Sequence, residues 1–308
     1  MNPSSQDERR GLWLGLLGVV IFAMTLPMTR LAVGPAGDPQ LPPLFVTAGR
    51  AGLAGLLSVL YLVATRAPRP QRRQLGAFAV CALGTVVGFP LFLGLALRDV
   101  DAMHGAVITG VLPLATAVAA ALWFRQRPST GFWVCAVLGC ALVLAFAAFQ
   151  GSGQLGRADG LLLLSVLSAA IGYVAGASLS AQMRAEQVIC WVVVLSLPLT
   201  LPVMLASWPS APVRASAWGG FAYVTLFSMW LGFFAWYRGL ALGGTVRVSQ
   251  VQLVQPFLAL LFAVPVLGET LKPTTVMFSL AVVAIVFVGK KMPARRVSGD
   301  AGQAGDAR

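Results

Sequence analysis

Long apolar stretches follow one another along the whole chain and are separated by short polar segments. A helix needs about 20 mostly apolar residues to cross roughly 30 Å of hydrocarbon. The ten windows that approach this length are Leu12–Leu31, Leu44–Ala64, Leu75–Leu97, His104–Phe124, Phe132–Phe149, Leu161–Ser180, Val188–Ala206, Trp218–Tyr237, Val248–Leu267 and Thr274–Gly289. The last is short, so its ends are the least defined. The pattern predicts an all-α integral membrane protein with ten transmembrane helices.

The polar segments are brief and rich in Pro, Gly and charge, as in "GPAGDPQLPP" (34–43) and "RAPRPQRRQ" (66–74). They leave no room for a soluble domain. Composition agrees, because 58% of the residues are hydrophobic and 10% are charged, whereas a soluble domain is about 25% charged. At the N-terminus, "DERR" precedes an apolar run that lacks a small-residue cleavage site. This predicts an uncleaved first span rather than a signal peptide.

The basic residues are unevenly distributed among the loops, and this changes what the net charge of +12 implies. If the N-terminus is cytoplasmic, sixteen basic residues lie in inner segments and five in outer ones, with Arg50 inside a span. This bias predicts a multi-pass protein of the cell (inner) membrane with both termini cytoplasmic, rather than a nucleic-acid-binding protein. The first five spans and the tail carry the bias, because the other loops hold three inner and three outer basic residues.

Two segments of the chain are similar and occupy corresponding places. They are "GLALRDVDAMHGAVITGVLPLATAVAAALWFRQRPST" (94–130) and "GLALGGTVRVSQVQLVQPFLALLFAVPVLGETLKPT" (239–274). Each runs from GLAL through a polar turn into an apolar helix with a matched proline. We predict two homologous halves of five spans each, at 11–149 and 150–290. A cytoplasmic N-terminus (1–10) and a disordered cytoplasmic tail (291–308) flank them.

The matched prolines, Pro113 and Pro256, are 143 residues apart. Five is an odd number, so the second half must insert upside down relative to the first, as in inverted-repeat transporters. Each proline lies about 12 to 14 Å into its span at 1.5 Å per residue, close to the midplane. A mid-span proline removes a backbone hydrogen bond and bends the helix. We expect the two to be hinges beside a central cavity, with inherited packing as the alternative.

The ten-span layout, the "GLAL…P…A" pattern ending in "GETLKP", and the arginine of "LFVTAGRAGLAGLL" (44–57) resemble the EamA-like exporters of the drug/metabolite transporter superfamily. The resemblance covers the chain from about Leu12 to Gly289. It implies a secondary transporter that exports small metabolites or amino acids, with a drug or nucleotide-sugar carrier on the same fold as the alternative. The chain departs from the family pattern at Gln126, where the second copy has the acidic Glu269.

A second departure bears on mechanism. The first span, "IFAMTLPMTRLA", has no buried carboxylate of the kind that drives proton exchange in the four-span multidrug relatives. None of the ten acidic residues is expected in the middle of a span, and the single histidine, His104, lies at a span entrance. A proton relay needs such groups inside the membrane. The sequence therefore favours a facilitator or exchanger, and polar neutral, zwitterionic or anionic cargo.

Side-chain amides occur in "VSQVQLVQPFLALL" (248–261), at the start of the ninth window. At 100° per residue, Ser249, Gln252, Gln255 and Pro256 share one helix face, whereas Gln250 points elsewhere. An unpaired amide in an apolar medium costs roughly 2 to 7 kcal/mol, so Gln252 and Gln255 are not expected to face lipid. They line a cavity or bond to a neighbouring helix.

The repeat equivalents in the first half are Ala106, Thr109 and Leu112, so the second half should supply the more polar cavity wall. Arg50, about 10 Å below the outer surface, either snorkels to the headgroups or attracts a substrate carboxylate from inside the cavity. Aromatic candidates are Tyr173 and Trp230. The candidate substrate-binding residues are thus Arg50, Thr109, Tyr173, Trp230, Ser249, Gln252 and Gln255.

Other residues are expected to be structural. His104 is assigned a structural role at the membrane boundary, and Trp236 a place in an interfacial belt. The four cysteines lie in apolar windows without a C-x-x-C pair, so neither a disulfide nor a metal site is expected, nor any cofactor. No set of catalytic side chains is recognised in the spans, so the sequence argues against a membrane-embedded enzyme more strongly than against a channel. Expected partners are a small-molecule substrate and the bilayer, without nucleic acid; the oligomeric state, a monomer included, is open.

Overall fold

The computed structural model describes residues 5–150, 155–180, 182–243, 250–291 and 294–296. Within these residues eight helical segments are long and apolar enough to cross a membrane, and two shorter apolar helices complete the set. In chain order, spans 1 to 10 are Gln6–Val33, Pro43–Ala64, Arg72–Ala96, Ala102–Trp123, Thr130–Phe149, Arg157–Ser180, Ala185–Ala206, Ala215–Gly239, Val251–Leu267 and Pro273–Gly289. Each predicted window overlaps one of them, so the predicted ten-span all-α fold is confirmed.

Half of the spans are single helices and half are interrupted. The uninterrupted helices are Pro43–Ala64, Thr130–Gln150, Arg157–Ser180, Ala185–Ala206 and Pro273–Lys291. Span 1 is divided into Ser5–Ala23 and Thr25–Val33, span 4 into Ala102–Thr109 and Leu112–Trp123, and span 9 into Gln250–Val254 and Gln255–Leu267. Span 3 is divided into Arg72–Gln74, Leu75–Cys81, Ala82–Gly88 and Phe89–Ala96. Span 8 is divided into Ala215–Tyr223, Val224–Leu231 and Gly232–Gly243.

Spans 4 and 9 both break just before the matched proline. Pro113 lies in the first turn of Leu112–Trp123, and Pro256 lies in the first turn of Gln255–Leu267. The first turn of a helix has no carbonyl partner for its N–H groups, so a proline there loses nothing. The predicted bends are therefore breaks between two short helices, at corresponding places in the two halves.

Spans of the first half pack on spans of the second half in a regular order. Span 1 packs on span 8, span 2 on 7, span 3 on 6, span 4 on 9 and span 5 on 10. Because spans 1 to 5 correspond to spans 6 to 10, this order is unchanged when the halves are exchanged. Five spans per half make the two repeats inverted, as predicted.

Glycines bring helices of the two halves into backbone contact. A Cβ added to Gly84 in span 3 would lie 2.4 Å from the carbonyl oxygen of Ser168 and 2.6 Å from the Cα of Gly172 in span 6. A Cβ on Gly239 in span 8 would lie 2.6 Å from the backbone nitrogen of Gly15 in span 1. Small residues allow such close helix packing in membranes.

An even number of spans places both chain ends on one side, here called the terminal end; the other side is the opposite end. At the terminal end, strands Gln126–Pro128 and Ala294–Arg296 pair antiparallel. Part of the tail expected to be disordered therefore forms a β-ribbon.

The interfacial role expected for Trp236 is wrong, because the residue is 8% exposed and packs on Gly18 of span 1.

Candidate functional site

A cavity of about 250 Å³ lies among spans 1, 4, 6 and 9. Repeat-equivalent residues form facing parts of its wall. The first half contributes Ala106, Thr109, Leu112 and Pro113, and the second half contributes Gln252, Gln255 and Pro256. The two helix breaks therefore meet at one cavity, as the matched positions of the prolines suggested.

This large chamber extends from the middle of the spans toward the terminal end. Thr116, Ala117 and Ala120 line it from the second half of span 4, which runs toward that end. Gln252 lines it from the first turn of span 9, which starts there. The chamber therefore belongs to the terminal side of the membrane-spanning core.

The polar groups of the large chamber differ between its two walls. On the first half's wall, Thr109 Oγ1 donates a hydrogen bond to the carbonyl oxygen of Gly105 over 2.7 Å, and Thr116 Oγ1 donates to that of Leu112 over 2.8 Å. Gln252 and Gln255 form no side-chain hydrogen bond in the described part of the chain. Within the described residues these amides are unpaired, which favours the cavity-lining interpretation over interhelical bonding.

A small chamber of about 50 Å³ adjoins the large one and contains Arg50. Five residues line both chambers and thus form the passage between them: Leu26, Thr109, Leu112, Tyr173 and Gln255. The Arg50 residue is 3% exposed, and its Nη2 donates to Ser228 Oγ over 3.0 Å. The guanidinium therefore faces the interior rather than the headgroups. A charged side chain at this depth costs roughly 2.5 to 3.5 kcal/mol on insertion scales, and such residues mark substrate pathways.

Ser228 is held in place by the local structure of span 8. Its Oγ lies 2.9 Å from Thr25 Oγ1 of span 1, so one hydroxyl pair connects spans 1, 2 and 8. Ser228 lies in the π-helical segment Val224–Leu231, and span 3 has a π-helical segment at Ala82–Gly88. Such widened turns are frequent at functional sites.

Sequence reasoning missed Thr25, Thr85 and Ser228, all of which line the small chamber. No motif in the sequence marked them. Thr85 and Ser228 lie on the π-helical segments of spans 3 and 8, which are corresponding spans of the two halves.

The remaining candidates lie elsewhere. Trp230 packs beside Phe234, with ring centroids 5.1 Å apart, in an apolar cluster that includes Phe78 and Met229. Tyr173 lines both chambers. Ser249 is outside the described residues. In the described part of the chain, no cluster of His, Cys, Asp or Glu could hold a metal ion.

At the opposite end, Glu269 joins the two halves, which the sequence did not indicate. Its Oε1 accepts the backbone N–H of Ala102 over 2.7 Å, and its Oε2 accepts that of Met103 over 2.8 Å. A residue after span 9 thus caps the N-terminus of span 4. Burial raises the pKa of the Glu269 carboxyl, although the two N–H bonds act in the opposite direction.

A second contact between the halves lies close by. His104 Nε2 of span 4 is 2.6 Å from Asp159 Oδ1 of span 6, and the His104 ring packs 5.1 Å from that of Phe146. Both side chains of the pair are largely buried, with 11% and 7% exposure. This agrees with the structural role expected for His104.

Comparison with known proteins matches this architecture to a family. The model of the EamA-like transporter family matches twice, at residues 9–147 and 156–289. The chain belongs to the EamA-like transporter family. The two matches coincide with the two five-span halves, so the family repeat is the structural repeat.

Two curated relatives are designated transporters. The chain is 42% identical over 284 residues to the uncharacterized transporter YdeK of Bacillus subtilis (strain 168), covering 91% of this chain and 96% of the relative. It is 26% identical over 249 residues to the uncharacterized transporter sll0355 of Synechocystis sp., covering 74% and 76%. One solved crystal structure shares the fold with a TM-score of 0.62 at 15% identity, covering 91% of this chain and 98% of that one.

Membership of this family settles the general class of activity. The chain is a multi-pass membrane transporter and not an enzyme, and it acts on a small-molecule substrate within the bilayer. The recognised family thus agrees with a cavity at the interface of two inverted halves, the usual place for a transporter's substrate site.

Proposed function

We propose that this EamA-family protein is a secondary transporter that exports small metabolites or amino acids from the cytoplasm by alternating access. One observation carries the proposal. The broken helices of spans 4 and 9 form facing walls of a chamber on the terminal side, while Glu269 joins the same two spans at the opposite end. A cavity on one side and a closure on the other is the arrangement that a carrier alternates.

The inverted repeat supplies the second state of this cycle. Each half can adopt the conformation that the other half has here, which would close the terminal side and open the opposite side. Pro113 and Pro256 lie at the helix breaks where spans 4 and 9 would change direction. We therefore assign them as hinges.

Cargo size and polarity follow from the chambers. Pockets for drug-sized ligands measure about 300 to 1,000 Å³, so a chamber of about 250 Å³ suits a smaller metabolite. Apolar walls with two free amides fit a molecule that has both an apolar part and hydrogen-bonding groups. We propose facilitated flux or exchange rather than proton antiport, because the chambers are lined by no carboxylate among the described residues.

Orientation and direction belong to the same proposal. The positive-inside bias assigns the terminal end to the cytoplasm. The large chamber would then load from the cytoplasm, as export requires. A reporter fused into the loop near Arg69 should be cytoplasmic, and an external reporter there would contradict this orientation.

The test is an efflux screen with a labelled metabolite library in cells that express the protein or its variants. We expect the double variant Gln252→Leu, Gln255→Leu to lower the affinity for the identified cargo about tenfold or more, because two hydrogen bonds are lost. Gln6→Leu, an exposed amide away from the chambers, is the matched control. Normal transport by the double variant would contradict the polar wall.

Two further readouts separate this carrier from its alternatives. Flux that saturates and is stimulated by substrate on the other side indicates a carrier, whereas flux linear in concentration indicates a pore. Proton movement tightly coupled to cargo would contradict the facilitator mechanism.

A further inference from the structure

Arg50 is a buried cation without a counter-ion among the residues that the structure describes. Arg30, His104, Arg214 and Arg238 each pair with an Asp or Glu, whereas no such pair is found for Arg50 within the described residues. Its Nε has no hydrogen-bond partner, although the atom is buried. A buried charge that is neither paired nor fully hydrogen-bonded is unfavourable, so the site is incomplete without an anion.

The small chamber has room for such an anion. A cavity needs about 10 to 15 Å³ to hold one water molecule, and the small chamber has a volume of about 50 Å³. Ser228 Oγ accepts a bond from Arg50 Nη2 over 3.0 Å and is itself 2.9 Å from Thr25 Oγ1, so the guanidinium is fixed from one side. A planar guanidinium with free donors matches the two oxygens of a carboxylate.

The position of the chamber also determines where the rest of the ligand lies. Tyr173 and Gln255 line both chambers, so a ligand whose carboxylate is in the small chamber extends past them into the large one. The large chamber is mostly apolar, with the free amides of Gln252 and Gln255 on one wall. The ligand is therefore a carboxylate with a compact, largely apolar remainder.

We propose that Arg50, positioned by Ser228 and Thr25, is the carboxylate-binding subsite of this transporter and that its cargo is a small organic acid, with or without an α-amino group. This inference rests on the proposed transport function, whose cargo it defines by chemistry. The carboxylate neutralises Arg50, and the apolar remainder occupies the large chamber.

The test is ligand-induced thermal stabilisation of the purified full-length protein in detergent. The panel contains leucine and phenylalanine, the matching 2-hydroxy acids, and the neutral primary amides of those hydroxy acids. We expect acids to bind and the amides to fail. Binding of both acid classes means that the carboxylate suffices, whereas binding of the amino acids alone means that the amino group is recognised as well.

Variants assign the effect to the subsite. We expect Arg50→Gln to weaken acid binding about 10- to 100-fold, the range for a lost charge-assisted hydrogen bond, and Arg50→Lys to weaken it less. Ser228→Ala, which removes the positioning hydroxyl, should weaken it several-fold; it also serves as the second test if Arg50→Gln fails to fold. Arg73→Gln, an exposed arginine away from the chambers, is the control and should bind normally.

The outcomes separate the subsite from the transport function. Equal binding of acids and amides, no binding of any acid in the panel, or unchanged acid binding by both Arg50→Gln and Ser228→Ala would overturn the subsite. Counterflow in proteoliposomes then tests transport of the bound acid. Acid binding that depends on Arg50 but is not accompanied by counterflow would contradict the transport function and support the subsite. Saturable counterflow of a neutral cargo alone would support the transport function and contradict the subsite.

Discussion

The two ends of the molecule hold the halves together in different ways. At the opposite end, the Glu269 carboxylate of the second half bonds two N–H groups of span 4, and His104 pairs with Asp159 across the same interface. On the terminal side, the strands Gln126–Pro128 and Ala294–Arg296 join the halves, and the walls of spans 4 and 9 enclose a chamber whose amides have no partner among the described residues. An inverted repeat would make its two ends alike, so under the proposed alternating-access cycle the difference between the ends corresponds to one of its two states.

Sequence asymmetry underlies part of this difference. Position 126 corresponds to position 269 at the separation of 143 residues, yet the first half has Gln126 where the second has Glu269. A carboxylate offers two acceptor oxygens to a helix N-terminus, whereas an amide offers one acceptor and a donor. On the proposed cycle, we therefore expect the two closures to differ in strength and the state with the opposite end closed to be favoured.

The largest expected effect comes from removing Glu269. Glu269→Ala leaves the N–H groups of Ala102 and Met103 without their acceptor, which we expect to destabilise the closed opposite end by about 3 kcal/mol, or roughly 100-fold in population. The measurement is the rate at which Ala259→Cys reacts with a membrane-impermeant maleimide added on that side. Ala259 lines the large chamber and is 3% exposed, so its thiol is shielded while the end is closed.

Two controls accompany this variant. Glu269→Gln keeps one acceptor and should speed the reaction less. Glu186→Ala removes a carboxylate that lies 3.8 Å from Arg238 at the terminal end, and it should not speed the reaction at all. Unchanged labelling in Glu269→Ala would show that this contact does not hold the end closed.

A smaller effect is expected from making the halves more alike. Gln126→Glu gives the first half the acidic residue of the second half, and should stabilise the state in which the terminal end is closed by about 1 kcal/mol, roughly fivefold. Labelling of Ala259→Cys from the opposite side should rise accordingly. Combined with Glu269→Gln, the two changes should add. A slower reaction in Gln126→Glu would contradict the proposed equivalence of the two positions.

The sequence predicted those features that depend on local pattern and on the repeat. Hydropathy located the spans, and the matched positions of Pro113 and Pro256 indicated the breaks around a cavity. Contacts between distant residues were not predictable, because Arg50 and Ser228 are 178 residues apart and meet only through helix packing. Trp236 was misassigned for the same reason. A tryptophan near a span end can belong to an interfacial belt or pack against a neighbouring helix, and only the structure shows its contact with Gly18.

The smallest effect is a pH dependence of the closed opposite end, and its sign follows from Glu269. Burial raises the pKa of this carboxyl in the closed state, whereas an exposed carboxyl in the open state has the ordinary Glu value of about 4.3. The closed state therefore binds the proton more tightly. Its extra stability is fully present below the ordinary pKa and is lost as pH rises through the raised value.

Acidification from neutral pH toward about pH 4.5 should thus slow labelling of Ala259→Cys from the opposite side. The reaction of the thiol itself also slows in acid. The quantity to follow is therefore the labelling rate with Glu269 present divided by the rate in Glu269→Gln, which has no titrating group at this position. We expect this ratio to fall in acid, because the closed state binds the proton more tightly than the open state. A ratio that rises in acid would contradict this sign. It would mean that the two N–H bonds affect the pKa of Glu269 more than burial does, and that the ionised carboxylate is the form that stabilises the closed end.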